Sequence, residues 1–360
     1  MSLPPPLTRP LDVILHLGMG KTGTSSIQFF LRDHREALAS RGILYPATPG
    51  RGRHHKLSLS VKSRQELALS PEWVRVGQTD PAKFRRSFRR RLLREIEDSR
   101  LTRVLFSDEV LFGSSYPTLR RLGKWTSRIS RSLRLVVYLR RQDDHLVSRY
   151  QEEVKLGEVR RLDDWAHQDM SGLYDYYARL RKHDELLAPM ELEVRRYERD
   201  RFPAGSVLQD FLEAVGVDAG VADMARERER NVALDAESLE FLRLLNVHRV
   251  ENESATPGLM DTRDLVPRLA DASVGPLLTL PDAFLDTFMA RWDRSNELVA
   301  REFLGDRSGV LFRTPRKSGD ATVEQLLDPT RIDHFVRVAE LSEELVAPLR
   351  VLAEQQAVAG

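Results

Sequence analysis

The sequence has no cysteine, almost no excess of either charge and no long apolar run. The lack of cysteine excludes disulfides, cysteine-ligated zinc, iron–sulfur clusters and thiol catalysis. With 56 basic and 54 acidic residues the net charge is +2, which argues against a dedicated nucleic-acid binder. No apolar run approaches the roughly 20 residues that span a membrane, and residues 1–10 lack the apolar segment of a signal peptide. We therefore expect a cytoplasmic protein.

The 360 residues, 41% of them hydrophobic, are enough for a sizeable core. Up to residue 217, short apolar segments alternate with amphipathic ones, which predicts an α/β fold with a central parallel sheet flanked by helices. The predicted strands span 11–17, 43–45, 103–107, 133–139 and 192–197. The predicted helices span 25–40, 81–99, 142–156 and 207–215. Ligands of such sheets bind at the carboxyl ends of the strands.

The segment VILHLGMGKTGTSSI at 13–27 combines a buried strand, a glycine-rich turn and the first turn of a helix. This order directs several backbone N–H groups and a helix N-terminus at one point, where a phosphate can bind. An ATP-binding loop has glycine, any four residues and then Gly-Lys-Ser/Thr. Here Gly20, Lys21 and Thr22 would need a glycine at position 15, which is Leu15. The spacing therefore predicts a phosphate site of another type.

A second junction, VVYLRRQDDHLVSRY at 136–150, ends its strand in Arg140. Ser148 follows about two helical turns into the next helix. The guanidinium and the hydroxyl can therefore bind one phosphate between them. Alternatively, the two arginines form ordinary surface ion pairs with the two aspartates that follow.

Together the two junctions resemble the donor site of sulfotransferases, which use 3′-phosphoadenosine 5′-phosphosulfate (PAPS). The order Gly-x-x-Lys-Thr-Gly-Thr-Ser from Gly18 resembles the 5′-phosphosulfate loop of that family. The residues with the spacing of its 3′-phosphate motif are Arg140, Asp144, Ser148 and Tyr150. Arg141 and Gln142 depart from the small residue and proline usual there, but bacterial carbohydrate sulfotransferases often show such an Arg-Arg-Gln-Asp run. The similarity covers mainly residues 11–216.

The resemblance implies a P-loop-like α/β enzyme that binds PAPS, and its product PAP, without a metal. Lys21 is then the catalytic residue that stabilises the departing phosphate. The residues implied to hold the 5′-phosphosulfate are Gly18, Lys21, Thr22, Gly23, Thr24, Ser25 and Ser26. Arg140 and Ser148 are implied to bind the 3′-phosphate, and Tyr197, at the end of the fifth strand, to lie near the adenine.

The resemblance also implies an acceptor hydroxyl or amine, carried by a carbohydrate or glycoconjugate that is free or linked to a membrane surface. No nucleic-acid partner is expected. We assign PAPS binding to a core at 1–217, the acceptor side to a helical subdomain at 218–310 packed on the core, and a helical tail to 311–360. Helices are predicted at 235–248 and 282–304. The irregular, proline-rich segment 251–282 is interpreted as a lid or as disordered.

The general base has three candidates. Glu109 follows the third strand and is the first, although a glutamate needs burial near apolar groups to raise its pKa. His55, with His54 as its neighbour, follows the second strand, and a histidine has the more suitable unperturbed pKa. Each also has a structural alternative, in which Glu109 or Asp108 caps the next segment and the two histidines are solvated loop residues.

Other patterns leave further functions open. The sequence Ser-Asp-Glu at 107–109 also resembles the acidic pair that holds Mg²⁺ in nucleoside triphosphatases, so a metal-dependent kinase or nucleotide hydrolase is an alternative. A non-catalytic nucleotide-binding relative and a sulfotransferase of phenols or lipids are also open. Helix 81–99 presents either a track for an anionic glycan or a solvated face. Its basic residues are Lys83, Arg85, Arg86, Arg89, Arg90, Arg91 and Arg94.

Overall fold

The computed structural model describes residues 9–217, 233–252, 255–256, 262, 264–316 and 319–359. These residues form two compact units that interleave along the sequence. The first unit is drawn from Met1–Arg141, Met170–Arg228 and Trp292–Thr314, and the second from Gln142–Asp169, Glu229–Arg291 and Pro315–Gly360. The three consecutive segments expected from the sequence differ from this division, and the functions assigned to them stay predictions.

A five-stranded sheet forms the centre of the first unit. Its strands are β1 (Leu11–His16), β2 (Ile43–Leu44), β3 (Arg103–Ser107), β4 (Ser130–Leu139) and β5 (Glu191–Arg196). Their order in space is β2-β3-β1-β4-β5, and all neighbours are parallel. The predicted parallel α/β sheet is thereby confirmed, with strand boundaries shifted by up to three residues.

Helices provide most of the remaining structure. In chain order they are α1 (Thr24–Asp33), α2 (Arg35–Ala39), α3 (His55–Val61), α4 (Arg64–Ala68), α5 (Pro71–Val76), α6 (Pro81–Ser99), α7 (Tyr116–Thr126), α8 (Gln142–Lys155), α9 (Leu162–Ala166), α10 (Ser171–Tyr174), α11 (Tyr176–Leu187), α12 (Val207–Ala214), α13 (Ala236–Asn252), α14 (Leu265–Ala272), α15 (Asp282–Ala290), α16 (Asp293–Leu298), α17 (Ile332–Val338) and α18 (Val346–Ala359). Short 3-10 turns lie at Glu109–Leu111, Arg199–Arg201, Pro203–Gly205, Pro329–Arg331 and Glu343–Leu345, and a π-helical turn lies at Val299–Phe303. Two short parallel strands of the second unit, β6 (Leu277–Leu278) and β7 (Ala321–Thr322), pair with each other.

The core of the first unit explains why β1, β3 and the last part of β4 are mostly apolar, whereas the edge strand β5 is polar. Leu105 of β3 and Val136 of β4 are fully buried and belong to one cluster with Ile27 of α1 and Phe211 of α12. A parallel sheet that carries helices leaves few strand positions for water-facing side chains. α6 adds the predicted stripe at every fourth position, because Phe84, Phe88, Leu92 and Ile96 are all buried.

Three predicted elements differ from the structure. The helix expected at 25–40 divides into α1 and α2 at His34, whose ring bonds to the carbonyl of Phe30 at 2.9 Å. The helix expected at 282–304 divides into α15, α16 and the π-helical turn. The segment 251–282, expected to be irregular, contains α14 and β6, because Leu265 and Leu269 give it a buried face. Residues 253–254, 257–261 and 263 lie outside the described residues, and the lid stays a prediction.

The second unit has its own buried polar network. Arg243 and Glu240, both on α13 and almost fully buried, form an ion pair at 2.6 Å. Gln325 donates to Glu240 and to the Tyr150 hydroxyl, at 2.8 Å each, and that hydroxyl donates to the carbonyl of Arg160. The Tyr150 hydroxyl therefore links two segments of this unit that are distant in the chain. In the part of the chain described, every helix is too short or too polar to cross a membrane.

Candidate functional site

Four strands of the five-stranded sheet end at one edge. His16, the last residue of β1, is in register with Ser107, the last residue of β3. Leu139, the last residue of β4, is in register with Arg196 at the end of β5, and β1 and β4 are neighbours. The loops that leave these four strands therefore start from the carboxyl edge, the place where such sheets bind ligands. The predicted site residues found there are the loop 18–26, Glu109, Arg140 and Tyr197.

The loop from β1 to α1 has a tightly constrained backbone. Lys21 has a φ of 65° and Gly23 a φ of 74°, both in the left-handed region. A residue with a β-carbon is disfavoured there by roughly 1–2 kcal/mol, so the conformation of Lys21 is strained. Such strain is often found at ligand-binding sites. A β-carbon on Gly18 would lie 2.2 Å from Cγ2 of Thr24, so the strand can pass this close to the helix only with glycine.

The first turn of α1 supplies hydrogen-bond donors to the same loop. Gly23 is its N-cap, and no side chain of the described residues caps it. Uncapped amide groups and the positive end of the helix dipole suit an anion. Ser25 and Ser26 are half-buried on this turn. Thr22 differs, because its hydroxyl is buried and donates to the carbonyl of Met19 at 2.5 Å.

Arg140 connects β4 to this loop. Its Nη1 donates to the carbonyl of Lys21 at 3.0 Å, and its own carbonyl accepts the Tyr176 hydroxyl at 2.7 Å. The guanidinium carbon lies 6.0 Å from the centre of the Tyr197 ring. The same ring would lie 3.4 Å from a β-carbon on Gly23. The structure thus brings Arg140, Tyr197 and the loop together.

Glu109 contacts the loop from the side of β3. It accepts the Thr24 hydroxyl at 2.6 Å and lies 3.3 Å from Nη1 of Arg53, with 26% of its side chain exposed. Arg53 also contacts Asp108 at 3.3 Å and Glu72 at 3.4 Å. Burial disfavours the charged guanidinium, but the three carboxylates outweigh burial and raise the pKa of Arg53. We call Thr24, Arg53, Asp108 and Glu109 the strand-end cluster.

Asp108 has a different environment from Glu109. Its side chain is fully buried and accepts the amides of Ser58 at 3.2 Å and Val110 at 3.3 Å, besides facing Arg53. A carboxylate that binds a metal would have to exchange these donors for the ion. In the described part of the chain, no three histidine or acidic side chains are grouped so that they could hold a metal.

The two candidate histidines differ in burial. The Nδ1 of His55, at the start of α3, donates to the carbonyl of Arg53 at 3.3 Å, because a carbonyl can only accept. Burial lowers the pKa of His55, so its ring is neutral at pH 7 and Nε2 is the acceptor. His54 is fully buried and stacks on Tyr45 at 4.2 Å, and burial lowers its pKa to about 3. His54 therefore belongs to the core, whereas the ring of His55 is partly exposed.

Ser148 lies in the second unit, half-buried on α8, and its role stays a prediction. Sequence reasoning missed Arg53, which contacts Glu109, and Tyr176, which donates to the carbonyl of Arg140. Arg53 follows a proline- and glycine-rich loop and has no local pattern that points to its three carboxylates. A tyrosine at the start of the 12-residue helix α11 gives no signal of its contact with Arg140. Both contacts join residues that are far apart in the chain.

Comparisons with known proteins give little further identification. No protein-family model matches the chain. A curated protein of Archaeoglobus fulgidus, described as "Uncharacterized protein", is 32% identical over 212 residues. This match covers 57% of the chain and 55% of that protein, so the chain spans about half the length of the curated relative it matches. The crystal structure of a sulfotransferase from Alicyclobacillus acidocaldarius is 18% identical, with a TM-score of 0.39 over 68% of this chain and 95% of that one. We draw no conclusion about function from a TM-score this low.

Proposed function

We propose that the protein transfers a sulfuryl group from PAPS to a hydroxyl group of an acceptor. The proposal rests mainly on one observation. Arg140, Tyr197 and Glu109 lie close to the strained loop of Lys21 at one edge of the sheet. The carbohydrate nature of the acceptor and the cytoplasmic location are parts of the proposal that rest on the resemblance in sequence.

In this proposal the donor binds along the β1–α1 loop. The amides of the first turn of α1, with the hydroxyls of Ser25 and Ser26, hold the 5′-phosphate. Gly18 and Gly23 let the backbone approach it closely. Thr22 shapes the loop through its bond to Met19 instead of contacting the ligand directly. Arg140 supplies positive charge for the 3′-phosphate, with Ser148 as its expected partner and Tyr197 as a face for the base.

Lys21 and Glu109 have complementary roles in the transfer step. The acceptor oxygen forms a bond to sulfur while the bond from sulfur to the phosphate oxygen breaks. Lys21 stabilises the negative charge that develops on the departing phosphate oxygen. An oxygen of Glu109 takes the acceptor proton, with His55 as the second candidate. In the structure, Glu109 accepts the Thr24 hydroxyl at 2.6 Å. If that hydroxyl turns to the 5′-phosphate, the carboxylate becomes available to the acceptor.

The test is calorimetric titration with PAP and with ATP, each with and without Mg²⁺. We expect metal-independent PAP binding that is at least about tenfold weaker in Arg140→Ala, because a charged contact to phosphate is lost. Arg141→Ala is the matched control and should bind PAP like the wild type. Magnesium-dependent ATP binding without PAP binding would replace the proposal by phosphoryl transfer. PAP binding without turnover of any hydroxyl acceptor would leave a non-catalytic binding protein.

A further inference from the structure

A groove in the first unit lies between α3, the end of α5 and α6. It encloses about 390 Å³. Three cationic side chains line it, Lys56, Lys83 and Arg91, together with Ser87 and the apolar Val76 and Phe84. This volume is large enough for one sugar unit with its substituents.

The charges around this groove are not balanced. Among the described residues, none of Lys56, Lys83 and Arg91 forms an ion pair with a carboxylate. Lys83 and Arg91 are exposed, and Lys56 is half-buried. Burial, and then the like charge of Arg91, lowers the pKa of Lys56. The nearby Asp80 accepts the amides of Ala82 and Lys83 as the N-cap of α6, so its carboxylate is already engaged.

Other cations of α6 face elsewhere. Arg85 donates to the carbonyl of Lys62 and is half-buried, as is Arg89. Arg86, Arg90 and Arg94 are exposed but do not line the groove. The basic helix expected from the sequence is therefore divided, and only two of its seven cations line the groove, where they are joined by Lys56 of α3.

Helix α3 contributes residues both to the groove and to the contacts of the strand-end cluster. The helix begins at His55, which bonds to the carbonyl of Arg53, and Ser58 of its first turn donates to Asp108. Lys56, which directly follows His55, lines the groove. Successive side chains on a helix point about 100° apart. The candidate base His55 and the cation Lys56 therefore lie on adjacent sides of α3. A chain-like acceptor with a hydroxyl near His55 could extend along this helix.

We propose that this groove binds an acidic sugar unit of the acceptor, carrying carboxylate or sulfate groups next to the hydroxyl that is modified. The inference rests on the proposed function, because the acceptor is taken to extend along α3 from the candidate base His55. Cations at the rim suit the acidic groups, and Ser87 suits a sugar hydroxyl. A single-stranded nucleic acid would need exposed aromatic rings to stack its bases, but Phe84 is only 5% exposed. Carbohydrate therefore fits this groove better than nucleic acid.

The experiment measures binding of a dextran sulfate oligosaccharide, with unsulfated dextran of the same length as control. The test variant is Lys56→Gln/Lys83→Gln/Arg91→Gln. We expect this variant to bind dextran sulfate at least about tenfold more weakly than the wild type does, because three charge contacts of modest strength are lost. The matched control, Arg86→Gln/Arg90→Gln/Arg94→Gln, removes the same charge from the same helix outside the groove. It should weaken binding less than about threefold.

Several outcomes would overturn the inference. Equal weakening in the two triple variants would mean diffuse attraction to a basic surface. Tighter binding of a single-stranded oligonucleotide of equal charge, or of vesicles with anionic lipid, would assign the groove to another ligand. If the triple variant does not fold, Lys83→Glu alone should still weaken binding about threefold. PAP titration of the wild type separates the two proposals. A wild type that binds dextran sulfate through the groove but does not bind PAP refutes the donor site and leaves the groove standing, whereas a wild type that binds PAP but not dextran sulfate does the reverse.

Discussion

The strand-end cluster and the groove beside α6 differ in whether their charged side chains are paired. In the cluster, the guanidinium of Arg53 faces the carboxylates of Asp108 and Glu109, and Thr24 donates to Glu109. Glu72, outside the cluster, is a third carboxylate that contacts Arg53. In the groove, none of the three cations has a carboxylate partner among the described residues. The cluster is partly or wholly buried, whereas two of the groove's three cations are exposed.

The difference follows from the cost of burying charge. A charge removed from water must be paired and hydrogen-bonded, so the buried cluster is neutralised within the protein. An exposed cation keeps its hydration and needs no partner. Paired charges therefore set the shape of the sheet edge, whereas unpaired ones are available to a ligand. Substitutions and changes of pH can test this contrast, from the largest expected effect to the smallest.

Acid should destabilise the protein through the buried histidines next to the cluster. Burial lowers the pKa of His16 and of His54 to about 3 each. The unfolded chain takes up these protons near pH 6.5, whereas the folded protein does not until about pH 3. Stability is therefore complete above pH 6.5 and falls below it, by about 1.4 kcal/mol per pH unit for each histidine. Urea unfolding midpoints at pH 7, 6 and 5 measure this loss of stability. In His16→Asn the midpoint should fall less steeply with decreasing pH than in the wild type.

Arg53→Met should destabilise the folded protein by about 3 kcal/mol. The substitution leaves the fully buried carboxylate of Asp108 without its cationic partner. Urea unfolding at pH 7 gives the free energy, and Arg51→Met, an exposed position two residues away, is the matched control. If Arg53→Met lowered the free energy of unfolding no more than Arg51→Met does, the amides of Ser58 and Val110 alone would be sufficient to stabilise Asp108.

Lys21→Ala should lower turnover about 100-fold, equivalent to about 2.7 kcal/mol of transition-state stabilisation. PAP affinity should change far less, because the lysine acts mainly on the departing oxygen. Steady-state kinetics and PAP titration separate the two effects. Lys124→Ala, an exposed lysine on α7, serves as control. Unchanged turnover in Lys21→Ala would contradict the assigned role.

Thr24→Val should destabilise the apo protein by about 1.5 kcal/mol, because the hydroxyl donates to a carboxylate. Thr24→Ser keeps the hydroxyl and should retain most of the stability. If Thr24 turns to the donor phosphate, PAP should stabilise the wild type more than Thr24→Val. Thermal unfolding with and without PAP gives both quantities. An identical PAP-induced shift in Tm in both proteins would exclude the switch from Glu109 to phosphate.

The triple groove variant should change stability by less than about 0.5 kcal/mol, the smallest effect in the series. No ion pair among the described residues is lost, and removing repulsion between Lys56 and Arg91 offsets any loss of packing. Urea unfolding of this variant beside Arg53→Met tests the contrast between the regions directly. A loss near that of Arg53→Met would mean that the groove cations are structural.

Local sequence patterns were sufficient for the main helices and strands of the first unit. The bounds of β3 and of α6 agree with the expectation, because an apolar run and a four-residue stripe each depend on neighbours in the chain. The short helices α3, α4 and α5 were missed, since five to seven residues hold too few turns to show a period. The break at His34 was missed because it depends on one side-chain bond to the backbone.

The sequence alone determined the alternation of strands and helices and the glycine-containing loop between β1 and α1, since both depend on residues close together in the chain. Tertiary structure decided which strand ends are neighbours, and hence that Arg140 reaches the carbonyl of Lys21. It also decided that Glu109 is bound by Thr24 and Arg53, and that His54 is buried while His55 is partly exposed. These outcomes depend on contacts between residues far apart in the chain, and a local pattern carries no information about which distant partner a side chain meets.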